Sequence, residues 1–253
     1  MHRPLAAALA LTAGAMLAAP ARAQVYDPNV SVSTSLTTVA QSATVSVLDL
    51  GTSGKNGLVS NQAVDFGSGD TAGTISYTGT SGIYSGNVTG VTAAPYTATG
   101  PTTGNYFAAE PKSAITFSYA QQQQYFGMMW GSVDSYNTLS FYRGDTLVEQ
   151  LPGKAITAVP NGVQGAGNTY WVNVNFGTGV SFDRVVATST SPAFEFSVIA
   201  FSTTTQAITP AQVAAAGDTG KPQSVAVNAA PVGASPLVVL LLGALRRRRQ
   251  RAG

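Results

Sequence analysis

The sequence predicts an all-β fold, a two-sheet β-sandwich of jelly-roll type, and three observations carry that expectation. Only 9% of the residues are charged and 27 are Gly, a composition of turns and pleated surface rather than of solvated helices. No apolar stripe at the 3.6-residue period runs through the middle of the chain. Short β-branched and aromatic runs recur there instead, each bounded by turn residues such as Gly, Asn, Asp, Pro or Ser.

The chain opens with a segment outside that fold. His2 and Arg3 precede an apolar stretch over residues 5–19, and Pro20 breaks the helix before Ala21-Arg22-Ala23. That small-x-small triplet reads as a secretory cleavage site, with Gln24 as the first mature residue. The run is short for a permanent span, so residues 1–23 are assigned as a signal peptide.

Residues 24–201 are the expected β-sandwich ectodomain. Strands are expected at 44–48, 74–77, 114–119, 125–130, 139–142, 146–149, 170–176, 182–187 and 194–201. Roughly nine to eleven strands at this spacing favour a sandwich over a propeller or a solenoid. Within 114–119 the alternation puts Ile115, Phe117 and Tyr119 on one face. Residues 24–100 are richer in Gly, Ser and Thr, with weaker strand signals. Residues 107–201 hold both Trp residues and should supply most of the core. The tract Gln121-Gln122-Gln123-Gln124 reads as a loop. Residues 202–230 lose aromatics and read as a linker, with a short helix over 208–216.

Residues 231–253 form the expected C-terminal sorting or transmembrane segment, an apolar helix ended by a basic cluster. Pro231 and Pro236 precede the apolar residues 237–245, and Arg246, Arg247, Arg248 and Arg249 follow at once. Arg is costly to pull through a bilayer and prefers the cytoplasmic face, so such a cluster halts translocation. Counted from Val232, about 14 residues at about 1.5 Å each reach roughly 21 Å, short of a hydrocarbon core of about 30 Å. The tail is therefore either a transient inner-membrane span that a processing enzyme removes or a thin, lasting anchor.

Charge and absent residue types narrow the function. Seven of the 13 Lys and Arg residues lie in the two terminal segments, leaving six against 11 Asp and Glu, a net charge of −5 for the body. An acidic body without a basic stripe does not attract polyanions, so no nucleic-acid partner is expected. The chain has no Cys, and its single His is His2 in the signal segment. Disulfides, thiolate and imidazole catalysis, and Cys- or His-ligated metals are thereby excluded from the mature protein, and no cofactor is expected. Carboxylate, Lys or Tyr chemistry remains, or no chemistry at all, and the leading expectation is a non-enzymatic protein.

One stretch is distinctive. Tyr125-Phe126-Gly127-Met128-Met129-Trp130-Gly131-Ser132-Val133-Asp134-Ser135-Tyr136-Asn137 runs on through Thr138 to Tyr142. It resembles the YFG-x-x-WGS-x-D-x-YN signature of exosortase-dependent bacterial surface proteins of the PEP-CTERM type. Phe194-Glu195-Phe196, after Ala187-Thr188-Ser189, is similar to that family's closing strand. The resemblance covers residues 113–201 and the two targeting ends. It implies a β-sandwich ectodomain and an exported protein of the cell surface or extracellular matrix. Signal peptidase and an exosortase-like enzyme would be its processing partners, and exopolysaccharide its surroundings. The tail departs from the family pattern: Ala230-Pro231-Val232-Gly233-Ala234-Ser235-Pro236 stands where Pro-Glu-Pro is usual.

Two readings of the signature stay open. Phe126, Met128, Trp130 and Val133 face the core in one, with Asp134, Tyr136 and Asn137 closing a turn. In the other, Trp130, Asp134, Tyr136 and Asn137 form the rim of a carbohydrate-binding module, aromatic faces stacking on sugar C–H groups and Asp and Asn fixing hydroxyls. A carboxylate-only glycan hydrolase is a further alternative, with Asp134, Asp145, Glu149, Asp183 and Glu195 as the acids available. Glu195 alternates with Phe194 and Phe196 and is expected to face solvent if they are buried. Asp183 and Arg184 are expected to pair at a strand end. Arg143-Gly144-Asp145 spells an adhesion tripeptide but reads as an ordinary hairpin turn. The oxygen-rich stretch 61–70 is a weak calcium candidate without EF-hand spacing, so no metal site is assigned.

Overall fold

The computed structural model describes residues 27–35, 40, 42–50, 57–58, 62–97, 100–207 and 223–226. The cleavage-site residues Ala21, Ala23 and Gln24, the expected helix over 208–216, and Pro231, Pro236 and Arg246–Arg249 of the tail lie outside the described residues.

The described residues form an all-β sandwich of two large sheets. In chain order the strands are β1 (Val30–Ser35), β2 (Ser46–Asp49), β3 (Gly57–Leu58), β4 (Ala63–Phe66), β5 (Gly73–Thr78), β6 (Ser81–Ser85), β7 (Tyr96–Thr97), β8 (Gly100–Pro101) and β9 (Asn105–Ala109). They continue with β10 (Ala114–Gln123), β11 (Tyr125–Trp130), β12 (Asn137–Arg143), β13 (Thr146–Pro152), β14 (Tyr170–Phe176), β15 (Phe182–Ser189), β16 (Phe194–Ser202) and β17 (Gln223–Ala226). A single helical turn, α1 (Gly153–Ile156), follows β13.

From β9 to β16 the chain changes sheet at every connection except the β12–β13 hairpin. The resulting orders, β9-β16-β11-β14 and β10-β15-β12-β13, are the two halves of a jelly roll. The remaining strands extend its edges. β6 and β3 continue beyond β9, β5 and β4 beyond β10, and β1 beyond β14, while β2 and the parallel β17 flank the C-terminal half of β16.

Aromatic contacts across the two sheets make the core. Phe107 meets Phe117 at 5.3 Å between ring centroids, Phe126 meets Phe141 at 5.5 Å, and Phe176 meets Phe182 at 4.8 Å. Ile115, Phe117 and Tyr119 share the inner face of β10 as the alternation predicts. In β16 the alternation breaks at Val198, whose φ of 53° marks a bulge where pairing with β11 slips. That extra residue returns Ile199 and Phe201 to the core after Phe194 and Phe196; without it, Ala200 and Ser202 would point inward.

Two local expectations need correction, on residues 121–123 and on the linker, and the weak strand signal of residues 24–100 has a plain cause. Gln121–Gln123 is not loop but the end of β10, with Gln123 buried, because pairing with β15 resumes at Phe182 after a slip. Residues 24–100 supply short strands of two to six residues, too brief for their alternation to stand out. The stretch expected as a linker contributes β17 to the larger sheet, and its Gln206 side chain is buried against Ser42, Thr44 and Ser202.

The outer face of the larger sheet is covered rather than open. Ala40 and Val45 pack on Tyr125 and Ala200 at one end. At the other, Ala94 and Val88 pack on Tyr84, Tyr106 and Ala108. This second cover creates the site described next.

Candidate functional site

The signature connects β11 to β12 across one end of the sandwich. Trp130 is fully buried, its ring 4.4 Å from that of Phe194 and its Nε1 without a hydrogen-bond partner. Gly131 must be Gly, because a Cβ there would lie 2.8 Å from Pro95 Cβ; its amide donates to the Glu195 carbonyl at 3.0 Å. Asp134 pairs through its backbone with Asn161, and its side chain occupies the space a Cβ on Gly162 would need, 2.0 Å from Oδ1. Burial raises the Asp134 carboxyl above its ordinary range, and a hydrogen bond with Tyr136 partly opposes that.

Tyr136 and Asn137 tie this connection to the one joining β15 and β16. The Tyr136 hydroxyl donates to the Pro192 carbonyl at 2.9 Å, and burial pushes its pKa up, with nearby Asp134 adding to the shift. Asn137 is fully buried; Nδ2 donates to the Ala193 carbonyl at 3.3 Å and Oδ1 accepts from the Ser189 hydroxyl at 2.8 Å. The rim reading of the signature is thereby corrected. Trp130 offers no ring face to a sugar, Asp134 and Asn137 are inside, and only Tyr136 is half-exposed. The reason is what packs on each: Trp130 ends β11 on its core face against Phe194, while the β13–β14 connection lies against Asp134 and the β15–β16 connection against Asn137.

Glu195 differs most from expectation. It does point away from Phe194 and Phe196, as alternation requires, but it is only 5% exposed because residues 87–95 fold over that face. The Thr92 hydroxyl donates to Oε1 at 3.1 Å and the Ala93 amide at 3.0 Å. Burial raises the carboxyl to about 7, and these two donors hold it from rising further. Val88 and Thr92 close the cover into a small antiparallel turn by exchanging backbone hydrogen bonds at 2.9 and 3.0 Å. Beside it lies a cavity of about 440 Å³ lined by residues 87–93, Gln164, Pro192, Ala193 and Glu195. The sequence signal that could have found it is Val88, Ala93 and Ala94 among the Gly and Thr of 86–95, an apolar underside in an otherwise polar loop.

The other acids lie elsewhere. Asp183 does not pair with Arg184; both of its oxygens accept from the Gly144 amide at 3.0 Å. Arg184 instead reaches Asp145 at 3.8 Å, with its guanidinium 4.7 Å above the Tyr142 ring. The Arg143-Gly144-Asp145 segment is thus the turn of the β12–β13 hairpin, as expected. Glu149 is buried and accepts from the Gln150 and Asp27 amides at 2.9 and 3.3 Å, with burial raising its pKa. The structure brings Asp134 and Glu195 close enough to affect one another electrostatically, and joins Asp145 and Asp183 only through Gly144 and Arg184. Within 61–70, Asp65 accepts from the Thr74 hydroxyl at 2.9 Å. Among the described residues, no three acidic groups gather to hold a metal.

Comparison with known proteins returns no matching family model, no matching curated protein and no matching solved structure.

Proposed function

We propose that this chain is an exported cell-surface or extracellular-matrix protein, sorted by an exosortase-like system, whose jelly-roll domain has a non-catalytic, structural role among exopolysaccharide. What supports a structural role is the use made of the signature. Trp130, Asp134, Tyr136 and Asn137 direct their rings and polar groups at Phe194, Gly162, Pro192, Ala193 and Ser189, and so lock three connections together. A domain closed this way resists proteolysis, because cleavage needs a locally opened backbone. Export and sorting rest on the signal-like residues 1–23 and on the charge-stopped tail.

Cell fractionation of the wild-type chain and of a variant with Arg246 to Arg249 all changed to Ala tests the sorting step. The wild type is expected in the envelope and medium as a shortened form, and the variant as unprocessed precursor. Equal processing of the two would count against the proposal.

A further inference from the structure

The cavity beside Glu195 has the make-up of a small-molecule site. Its volume of about 440 Å³ falls within the roughly 300–1,000 Å³ typical of such sites. Its polar groups converge from separate parts of the chain: Asn87, Thr89 and Thr92 from the cover, Gln164 from the β13–β14 connection, and Glu195 from β16. Val88, Val91, Pro192 and Ala193 supply short apolar surfaces between them.

The chemistry of this lining selects a ligand class. Among the described residues no Lys, Arg or His lines the cavity, so none of them would neutralise an anionic ligand. Its carboxylate is about 95% buried, with the Thr92 hydroxyl and the Ala93 amide both donating to Oε1. A hard cation would need six or more oxygen ligands with several carboxylates, and only one carboxylate is at hand. Side-chain amides and hydroxyls that both donate and accept, around one strong acceptor, match a ligand made of hydroxyl groups. Asn87 Oδ1 is already engaged by the Ala94 amide at 2.8 Å, which fixes that amide group and turns its Nδ2 donors toward other partners.

We propose that this cavity binds a neutral saccharide unit, with the Glu195 carboxylate accepting from a sugar hydroxyl and the Gln164 and Asn87 amides bonding its neighbours. The site is distinct from the Trp130 and Tyr136 rim that the sequence suggested; Tyr136 acts only by holding Pro192 in the lining. The proposal deepens the exopolysaccharide part of the proposed function. It does not depend on how the tail is processed, so its failure leaves export and sorting standing.

Saturation-transfer NMR and calorimetry on the purified full-length protein, in a detergent without a sugar headgroup and at about pH 8.5 so that Glu195 is ionised, test it. The probes are methyl β-glucopyranoside, N-acetylglucosamine, cellobiose and lactose, with calcium chloride and butylamine as cationic alternatives. At least one sugar is expected to bind, and Glu195→Gln, which keeps the side-chain shape, should weaken it about tenfold or more. Gln164→Ala, at an exposed position, should also weaken it while leaving the thermal midpoint unchanged, which guards against misfolding of the first variant. The proposal is overturned if no sugar binds at roughly 20 mM, if both variants bind as the wild type does, or if a cation binds in preference to every sugar.

Discussion

A carboxyl group held at 5% exposure must either ionise at a cost or keep its proton, and Glu195 does the second up to about pH 7. Its folded pKa stands above the unfolded value near 4.5, so the folded protein binds the extra proton between those limits. Stability is therefore greatest at and below about pH 4.5 with respect to this group, and falls as pH rises to about 7. The loss amounts to roughly 3 kcal/mol at most. Urea denaturation of wild type and Glu195→Gln at several pH values checks this. The wild type should lose stability across that interval, and the variant should show a much shallower slope. A slope of the same sign should persist in the variant from Asp134, Glu110 and Glu149, whose carboxyls burial also raises. The direction in which Glu195 points was legible from its place between two Phe residues. Its burial was not, because the cover comes from residues about a hundred positions earlier and strand periodicity carries no information about it.

At the scale of elements, the β11–β12 and β15–β16 connections behave as one unit. Asn137 bridges them with both ends of its amide, buried, so each broken bond would leave an orphaned polar group. Asn137→Ala should cost about 1–3 kcal/mol in denaturant unfolding and increase proteolytic nicking at 190–193. The β12–β13 hairpin gives the opposite expectation. Arg143 is exposed at its turn, and the electrostatic contacts there run between Asp145, Asp183, Arg184 and the Gly144 amide. Arg143→Ala should therefore leave the melting temperature within about 0.5 kcal/mol equivalent of wild type, and adhesion of cells to the purified protein unchanged. The strands from β10 to β16 were legible because each places apolar or aromatic residues on the core within a run of six to ten residues. Of β1 to β9 only β2 and β5 were, since pieces of two to six residues rich in Ser, Thr and Gly gain their identity from the sheet they join. The bulge at Val198 was equally hidden, as no Gly or Pro marks it in sequence.

At the scale of the whole molecule, the jelly roll closes a core without cysteine or histidine, using Phe, Tyr and Trp rings packed between two sheets. The charge-poor composition and the regular run spacing were enough to predict that architecture, because they reflect packing that every strand shares. The candidate cavity was not predictable in the same way. It forms where a loop from the first third of the body lies across a strand from the last, a juxtaposition set by topology alone. The terminal segments give this domain its proposed place outside the inner membrane, and the two ends make one joint prediction. Intact-mass and terminal-peptide mass spectrometry of the protein recovered from envelope and medium tests it most directly. The account predicts a chain that starts at Gln24 and stops upstream of Leu237. Recovery from the cytosol, starting at Met1 and still carrying Arg246 to Gly253, would contradict it.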